Sequence, residues 1–484
     1  MRKSLRFVTL AAALAAVLII AACATNPVTG RREFVLMTES QEISLGAEVD
    51  REIVATYGLY PDLRLQAYVN GIGKELAMLS HRPHLLWHFR VLDTPVVNAF
   101  AVPGGYIYIT RGLLAHLNSE AELAMILGHE IGHVTARHTV RQYTRQILIM
   151  GGIAIGAAVS ERFRRYAPLA MIGAQVLFLK FSRDQERQAD DLGVIYAYSG
   201  GYDPGRFHHF FETLSRIREV RGGGGLPGFL STHPTTPHRI QDVQAEAQRV
   251  MAKQPPTGSL AVRRDEYLLH LDGLVYGENP RQGYAERGFF FHPDLRFSFA
   301  YPSNWELVNT TAMVQMKPQS ENAIINLTLQ QTGSSPQAVF NQQVSENDLV
   351  FVSGGRRNIN GHDAYVGVCD YDDDSDNVLR LMVCCIRKDA NVYTFVGASE
   401  LANFNSYSRH FNNTFYSFRH LSDANALNRQ PTRLSVGQVG RSDTVERYIV
   451  QNGIPSEFRE DVLIINAAQR SDRLLPRSLF KLIR

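Results

Sequence analysis

Residues 119–134 read SEAELAMILGHEIGHV, and this stretch constrains the fold and the chemistry more than any other part of the sequence. It opens with the Ser-x-x-Glu pattern of a capping box, which predicts the start of a helix. His129 and His133 stand four residues apart, so a helix places both imidazoles on one face, within reach of one metal ion at about 2 Å. Glu130 then projects beside the ion, where it can take a proton from water. Because His-Glu-x-x-His can also arise by chance, the surrounding sequence has to decide.

A third metal ligand is predicted further along the chain. A catalytic zinc ion commonly uses three protein ligands and keeps one open position. Residues 182–191 form a polar segment, SRDQERQADD, in which Glu186 and Asp190 share one helix face. Glu186 could complete the ligand set, and Asp190 could hold the second ring nitrogen of a ligating histidine. Taken alone, however, the segment is more typical of a solvated helix start.

Length and composition exclude several classes of protein. The chain has 484 residues, of which 45% are hydrophobic, 20% charged and 10% aromatic. This composition excludes wholesale disorder and a polytopic membrane protein, and the length predicts two or three domains. The formal net charge is +3, so the protein has no global electrostatic reason to bind nucleic acid.

The N-terminus resembles a bacterial lipoprotein signal. Basic residues near the start are followed by an apolar stretch over 7–22, which ends in Ile-Ala-Ala before Cys23. We expect residues 1–22 to be a cleaved signal peptide, Cys23 to carry the lipid, and residues 23–38 to form a tether. Ala24 after the cysteine then implies the periplasmic side of the outer membrane. The alternative is an uncleaved anchor helix, because the apolar stretch is only just short of a membrane span.

The pattern along the chain predicts several domains. Residues 39–252 are mainly helical, apart from a β-hairpin candidate at 96–110 whose turn is Pro-Gly-Gly. Residues 253–287 are typical of a linker. Residues 288–421 alternate apolar and polar positions between turn residues, which predicts a β-rich domain of the α+β or sandwich type. A further polar stretch precedes a small terminal module at 434–484.

Together these motifs resemble metallopeptidase family 48, the gluzincin group that includes HtpX, BepA and the CAAX prenyl protease. The resemblance covers about residues 26–250. The matching segments, in chain order, are Asn26-Pro27-Val28-Thr29-Gly30, Asn98-Ala99-Phe100-Ala101 with Pro103-Gly104-Gly105, His129-Glu130-x-x-His133, Glu186-x-x-Ala189-Asp190, Gly200-Gly201-Tyr202-Asp203-Pro204, and Thr232-His233-Pro234 with Arg239-Ile240. The resemblance implies a multidomain fold: a mainly α, zincin-type peptidase domain with a small β-hairpin or sheet, followed by the β-rich domain and the terminal module.

For the site, the resemblance implies one zinc ion per chain. The residues it assigns are His129, His133 and Glu186 as ligands and Glu130 as general base. BepA-like members also bring a histidine from the Thr-His-Pro loop onto the metal as a removable fourth ligand, which here would be His233. Apart from the resemblance, the tetrahedral oxyanion of the reaction needs a second donor besides zinc, for which His233, Arg239 and a tyrosine are all candidates. The alternative is that His233 and Arg239 only cap and pin the final helix.

The predicted activity is that of a zinc-dependent endopeptidase acting on unfolded or misassembled proteins of the bacterial envelope. The strand at 98–102 could offer an edge along which an extended substrate binds. The alternative, from another class, is a non-catalytic, chaperone-like assembly lipoprotein on a zincin scaffold. The expected partners are therefore protein or peptide substrates and a membrane reached through the lipid anchor.

The end of the chain departs from this pattern. BepA-like members continue with tetratricopeptide repeats, and this sequence does not. Residues 434–484 weakly resemble a LysM module, which would imply contact with peptidoglycan; the alternative is a plain structural cap. For Cys369, Cys384 and Cys385, one disulfide with one thiol left over and three buried thiols are both open.

Overall fold

The structure, a computed structural model, describes residues 23–35, 37–145, 181–220, 229, 232–233, 237–371 and 378–484. The predicted signal peptide at 1–22 lies outside this set. Among the described helices, none combines the length and the apolar character that crossing a membrane requires.

The secondary structure is helical in the first half of the chain and mostly β in the second. The helices are α1 Glu39–Tyr57, α2 Leu63–Met78, α3 Arg111–His116, α4 Glu120–Thr135, α5 Arg183–Ser199, α6 Phe207–Val220, α7 Pro237–Lys253, α8 Arg264–His270, α9 Pro336–Glu346, α10 Phe404–Tyr416, α11 Ala424–Leu427, α12 Val445–Gln451 and α13 Arg459–Ile465. The strands are β1 Cys23–Thr25, β2 Arg32–Phe34, β3 His88–Leu92, β4 Ala99–Val102, β5 Tyr106–Thr110, β6 Tyr284–Glu286, β7 Phe289–His292, β8 Phe297–Ala300, β9 Trp305–Asn309, β10 Met313–Pro318, β11 Ala323–Gln331, β12 Val350–Ile359, β13 His362–Tyr371, β14 Leu379–Lys388, β15 Asn391–Glu400, β16 Arg419–His420, β17 Leu434–Gln438, β18 Asp443–Thr444, β19 Arg473–Leu474 and β20 Leu479–Ile483.

The chain divides into two compact units. The first contains Gly58–Gly277 and Arg433–Arg484 together with the segment that ends at Val54, and the second contains Glu278–Thr432 with Ala55–Tyr57. A helical N-terminal region followed by a large β-rich part is the organisation that the sequence predicts.

Helix α4 lies in the core of the first unit, because every one of its residues is buried. The side chain of Ser119 accepts a hydrogen bond from the backbone N–H of Glu122, so the helix starts at the predicted cap. A helix that is apolar around most of its circumference is typical of such a central position. The two histidines and the glutamate of the motif are therefore enclosed by protein on all sides.

Glycines allow α4 and α5 to touch along their backbones. A Cβ atom on Gly128 would lie 3.0 Å from the carbonyl oxygen of Gly193, and one on Gly132 would lie 3.1 Å from the carbonyl oxygen of Ala189. Few real Cβ atoms have contacts this short, so side chains at these positions would push the helices apart. The close approach aligns the histidine face of α4 with the acidic face of α5.

A small sheet of order β3-β5-β4 lies in the same unit, with β4 at one edge. β4 and β5 form the predicted hairpin, and its turn residues Gly104 and Gly105 have φ values of 81° and 95°. Glycine is favoured there because a side chain strains a left-handed backbone. β3 pairs in parallel with β5, an arrangement that the local sequence pattern does not indicate.

The described part of the segment predicted as a tether, residues 23–35 and 37–38, belongs to the first unit. β1 and β2 form an antiparallel hairpin. In its turn, the side chain of Asn26 is buried and donates to the carbonyl oxygen of Ala136, just beyond α4, at 3.2 Å. Its Oδ1 accepts from the backbone N–H groups of Val28 and Thr29. An asparagine that closes a turn and also caps a helix end fixes the chain locally.

The structure differs from the predicted boundaries after residue 252. Helix α8 lies within the predicted linker 253–287, yet its Tyr267 is fully buried and donates to the carbonyl oxygen of Leu114 at 2.7 Å. Residues 434–484 are not a separate module, because their apolar side chains belong to the same core as α4. The buried Lys481 even donates to the carbonyl oxygens of Ala115 and Leu117 at 2.9 and 2.7 Å.

The returning C-terminal segment has a strand–helix–helix–strand order, in which β17 pairs antiparallel with β20. Its burial in the shared core accounts for it as a structural element of the first unit. Contact with peptidoglycan through this segment stays a prediction.

The second unit combines helices with a seven-stranded and a four-stranded sheet. Its main sheet has the order β12-β13-β14-β15-β11-β10-β9 and is antiparallel throughout. Phe340 of α9 packs with Cys385 on one side of the sheet, and Phe411 of α10 packs in a second cluster with Cys384. Successive strand residues face opposite sides, which separates these two cysteines. Cys369, Cys384 and Cys385 are all free and buried.

We expect the Gly128→Leu substitution to destabilise the protein by about 1–3 kcal/mol, because the new side chain must displace the Gly193 backbone. The midpoint of thermal unfolding measures this loss. Gly71→Ala is the matched control: a methyl group at this exposed position of α2 meets no described atom within 4 Å, and alanine favours a helix over glycine by about 1 kcal/mol. A Gly128→Leu protein as stable as wild type would contradict the backbone contact between α4 and α5.

Candidate metal centre

Four buried side chains from three parts of the first unit converge on one point. They are His129 and His133 of α4, Glu186 of α5, and His233, and one potential ligand atom of each lies within 4.8 Å of the others. The two Nε2 atoms of His129 and His133 are 3.0 Å apart. The carboxylate oxygens of Glu186 lie 3.7 Å from the first nitrogen and 3.5 Å from the second. The sequence-predicted ligands are thus brought together.

His233 adds the fourth donor through its Nδ1 atom. This nitrogen lies 2.9 Å from Glu186 Oε1 and 3.2 Å from His129 Nε2. The ring stacks on Phe229 with the centroids 4.7 Å apart, and the backbone N–H of His233 donates to the carbonyl oxygen of Phe229 at 2.7 Å. The opposite ring nitrogen, Nε2, lies 3.6 Å from Glu130 Oε1.

The spacing of these donors fits a tetrahedral cation. Ligand atoms about 2 Å from a metal at tetrahedral angles lie about 3.3 Å from one another, and the measured separations of 3.0, 3.2, 3.5 and 3.7 Å scatter around that value. Two imidazole lone pairs aimed at one another across 3.0 Å repel unless a proton or a cation lies between them. Three imidazoles and one carboxylate are a donor set that zinc commonly takes.

The buried charges also call for a cation. Glu130, Glu186 and Asp190 are each buried, and Arg239 is the guanidinium that faces them. When all three carboxylates are ionised, they exceed the single guanidinium by two charges, and an unbalanced buried charge is costly away from water. Neither carboxylate oxygen of Glu130 has a hydrogen-bond partner among the described residues. A divalent ion at the shared point would balance the cluster.

Asp190 contacts the ring nitrogen of His129 that does not face the other candidate ligands, and Arg239 contacts Asp190 in turn. Asp190 Oδ1 lies 2.9 Å from His129 Nδ1, as predicted for a residue that holds a ligating histidine. Arg239 donates to both oxygens of Asp190 at 2.7 and 2.8 Å, and its third nitrogen lies 2.9 Å from Glu186 Oε2. Arg239 therefore joins α7 to the two carboxylates of α5; donation by Arg239 to a substrate oxygen stays a prediction.

Burial and these contacts shift the pKa values of the three carboxylates. Burial raises the pKa of Glu130 above its ordinary value, although His233 and His129 act in the opposite direction. Burial alone would also raise the pKa values of Glu186 and Asp190, but the nearby His233 and Arg239 hold the first below its ordinary value, and Arg239 does the same for the second. Glu130 is thus the carboxylate suited to accept a proton, while the other two stay ionised.

Sequence reasoning missed His138, which contacts a ligand directly. Its Nδ1 lies 2.9 Å from His133 Nδ1, and its Nε2 lies 3.0 Å from Gln188 Oε1. Burial lowers the pKa of His138 to about 4. The sequence signal was a histidine five positions after His133, but only the turn after α4 shows which way it faces.

The candidate substrate edge lies beside the segment that carries His233. The backbone carbonyl of Asn98 points into the sheet, since its oxygen accepts from the backbone N–H of Thr110 of β5. The backbone carbonyl of Val97 points toward the edge, and its oxygen accepts from the backbone N–H of Phe229 at 2.8 Å. Phe229 therefore occupies the start of the candidate substrate edge, and His233 contributes to the candidate metal site.

Comparison with known proteins places the site within one family domain. Residues 63–247 match Peptidase family M48, a range that contains every residue of the cluster. The chain is 37% identical over 162 residues to the mitochondrial metalloendopeptidase OMA1 of Arabidopsis thaliana, covering 34% of this chain and 32% of that protein. It is 29% identical over 227 residues to the beta-barrel assembly-enhancing protease of Yersinia pestis, covering 45% and 46%. The corresponding protein of Escherichia coli K12 is 26% identical over 234 residues, covering 47% and 48%. The matched region thus spans about half or less of the length of each of these three relatives.

We expect Asp190→Asn to weaken zinc binding by about 10–100-fold, because the amide replaces the anion that orients His129. Competition with a chromogenic chelator measures the affinity. Asp184→Asn on the exposed first turn of the same helix is the control and should bind zinc as wild type does. Equal affinities for wild type and Asp190→Asn would show that the carboxylate does not support the site.

Proposed function

We propose, from the premise that residues 63–247 are a domain of Peptidase family M48, that this chain is a zinc-dependent endopeptidase of the gluzincin type. Its substrates would be unfolded or misassembled proteins of the bacterial cell envelope. The observation that carries the proposal is the convergence of His129, His133, Glu186 and His233 beside Glu130, whose carboxylate has no hydrogen-bond partner in the part of the chain that the structure describes.

The reaction follows from the positions of the residues. Zinc bound by His129, His133 and Glu186 would supply a Lewis acid that polarises the scissile carbonyl and lowers the pKa of the attacking water. Glu130 accepts the proton of that water and delivers it to the nitrogen of the leaving amine. Its raised pKa suits this exchange, because a base too weakly basic cannot take the proton.

His233 keeps the site latent in this proposal. Its Nδ1 lies within 3.2 Å of ligand atoms on both helices, where an attacking water or a substrate carbonyl would otherwise stand. Its Nε2 faces Glu130 at 3.6 Å, so the same ring covers the general base. Activity requires the His233 segment to move away, and substrate that displaces it would also free the edge at Val97.

Substrate would bind as an added strand along β4. Backbone hydrogen bonds give such binding its affinity, so extended or unfolded chains are favoured over folded ones. A lipid on Cys23 would place this domain at the membrane surface, because Cys23 is the first residue of β1 and pairs with Phe34 of β2, so the attachment point belongs to the fold itself. The periplasmic side of the outer membrane is the proposed location.

Glu130→Gln should lower the turnover of an unfolded substrate by about 10²–10⁴-fold, because the amide cannot accept the proton. Zinc content should stay as in wild type, since Glu130 is not a ligand in this assignment. Release of peptides from a fluorogenic unfolded casein measures turnover, and Glu75→Gln on the exposed face of α2 is the control. Undiminished hydrolysis by Glu130→Gln would contradict the proposed endopeptidase mechanism. Complete restoration of envelope integrity in a deletion strain by this variant would favour the non-catalytic assembly factor.

His233→Ala should raise basal hydrolysis of the same casein by about tenfold, because the closed state loses the contact that holds it, and a shift of about 1.4 kcal/mol changes a population ratio tenfold. Zinc affinity should fall at the same time, since one donor is removed. His84→Ala, an exposed histidine elsewhere on the first unit, is the control. Hydrolysis unchanged or reduced in His233→Ala would exclude a latching role.

A further inference from the structure

His138 connects a metal-ligand candidate to the opposite helix without contributing to the cluster itself. It follows α4 by three positions, after a turn in which Arg137 has a φ of 56°. This left-handed residue turns the chain back, so that the fully buried ring of His138 faces His133. Its two ring nitrogens contact His133 Nδ1 at 2.9 Å and Gln188 Oε1 at 3.0 Å. These two contacts connect α4 to α5, as the contact between His129 and Asp190 also does.

The chemistry of the three groups fixes the direction of these hydrogen bonds. The amide oxygen of Gln188 can only accept, so Nε2 of His138 must donate to it. A neutral imidazole has one N–H, which leaves Nδ1 of His138 as an acceptor. His133 must then donate from its own Nδ1, and its Nε2 presents a lone pair toward His129 and Glu186. The reverse direction would place a proton on His133 Nε2 and block metal binding.

The two histidines of α4 are therefore oriented by different means. His129 faces the carboxylate of Asp190, which Arg239 holds in turn. His133 faces a neutral imidazole and amide, which fix its tautomer without adding another negative charge to a site that already contains three carboxylates. Both arrangements keep the Nε2 atom free for a cation, as outer hydrogen bonds do at zinc sites.

We propose that His138 and Gln188 are positioning residues, which hold His133 in the tautomer that binds the metal. The inference rests on the proposed zinc site, but it concerns which residues prepare that site and not whether it hydrolyses peptides.

The test compares substitutions that differ only in hydrogen-bonding capacity. His138→Leu removes the acceptor that faces His133, whereas His138→Asn can place its Oδ1 where Nδ1 lies. Gln188→Leu leaves His138 free to take the wrong tautomer. Zinc affinity of the full chain is measured by competition with a chromogenic chelator, and the visible spectrum of the cobalt-loaded chain reports the geometry of the ligands. His116→Leu, a buried histidine on α3 that contacts Gly112, controls for the loss of a buried imidazole.

We expect His138→Leu to weaken zinc binding by about 10–100-fold and to alter the cobalt spectrum, with His138→Asn recovering most of both and Gln188→Leu lying between them. His116→Leu should bind zinc as wild type does. Wild-type affinity in His138→Leu, or an asparagine variant as weak as the leucine variant, would overturn the positioning role and leave the proposed peptidase intact. A wild-type chain that binds no zinc would overturn both. If His138→Leu does not fold, Gln188→Leu with wild-type affinity would be the contradicting result.

Discussion

The backbone contact between α4 and α5 is the constraint on which the candidate site depends. Gly128, Gly132 and Gly193 let the two helices approach until carbonyl oxygens and Cα atoms meet where side chains would normally stand. At this separation the imidazoles of one helix and a carboxylate of the other lie 3.5–3.7 Å apart. Larger residues would keep the ligand types and lose the distance between them. The packing of two backbones thus decides whether a metal ion can be held.

Burial then sets the chemistry of the groups brought together. A carboxylate enclosed by protein is costly when ionised, and the structure meets that cost differently at each one. Asp190 and Glu186 have Arg239 beside them, whereas Glu130 has neither hydrogen-bonding partner nor guanidinium contact among the described residues. The same fold therefore keeps two carboxylates ionised and leaves the third ready to exchange a proton. A divalent cation at the shared point would complete the balance of charge.

In the proposed function, Phe229 and His233 would link access to the metal with access to the substrate edge. One contact joins Phe229 to Val97 beside the candidate edge, and another places the ring of His233 among the candidate ligand atoms. Displacing these two residues would then open both places at once. The core around α4 also includes the end of the chain, where Lys481 donates to carbonyl oxygens just before α4. Gly58–Gly277 and Arg433–Arg484 consequently belong to one compact unit.

Local sequence determined the capped helix at Ser119, the hairpin with its Gly104-Gly105 turn, the ligand types and their spacing, because these depend on residues close together in the chain. It also predicted that Glu186 and Asp190 lie on one helix face, since helical periodicity brings residues four positions apart to the same side. The tertiary structure alone decided the direction of His138, the pairing of Arg239 with Asp190, the docking of Asn26 and the return of residues 434–484 into the first core. These contacts join positions far apart in sequence or follow from a single left-handed residue, and local patterns carry no information about which distant surfaces will meet. Interactions within a few residues can be read from the chain, whereas those that need two surfaces to pack exist only in the folded molecule.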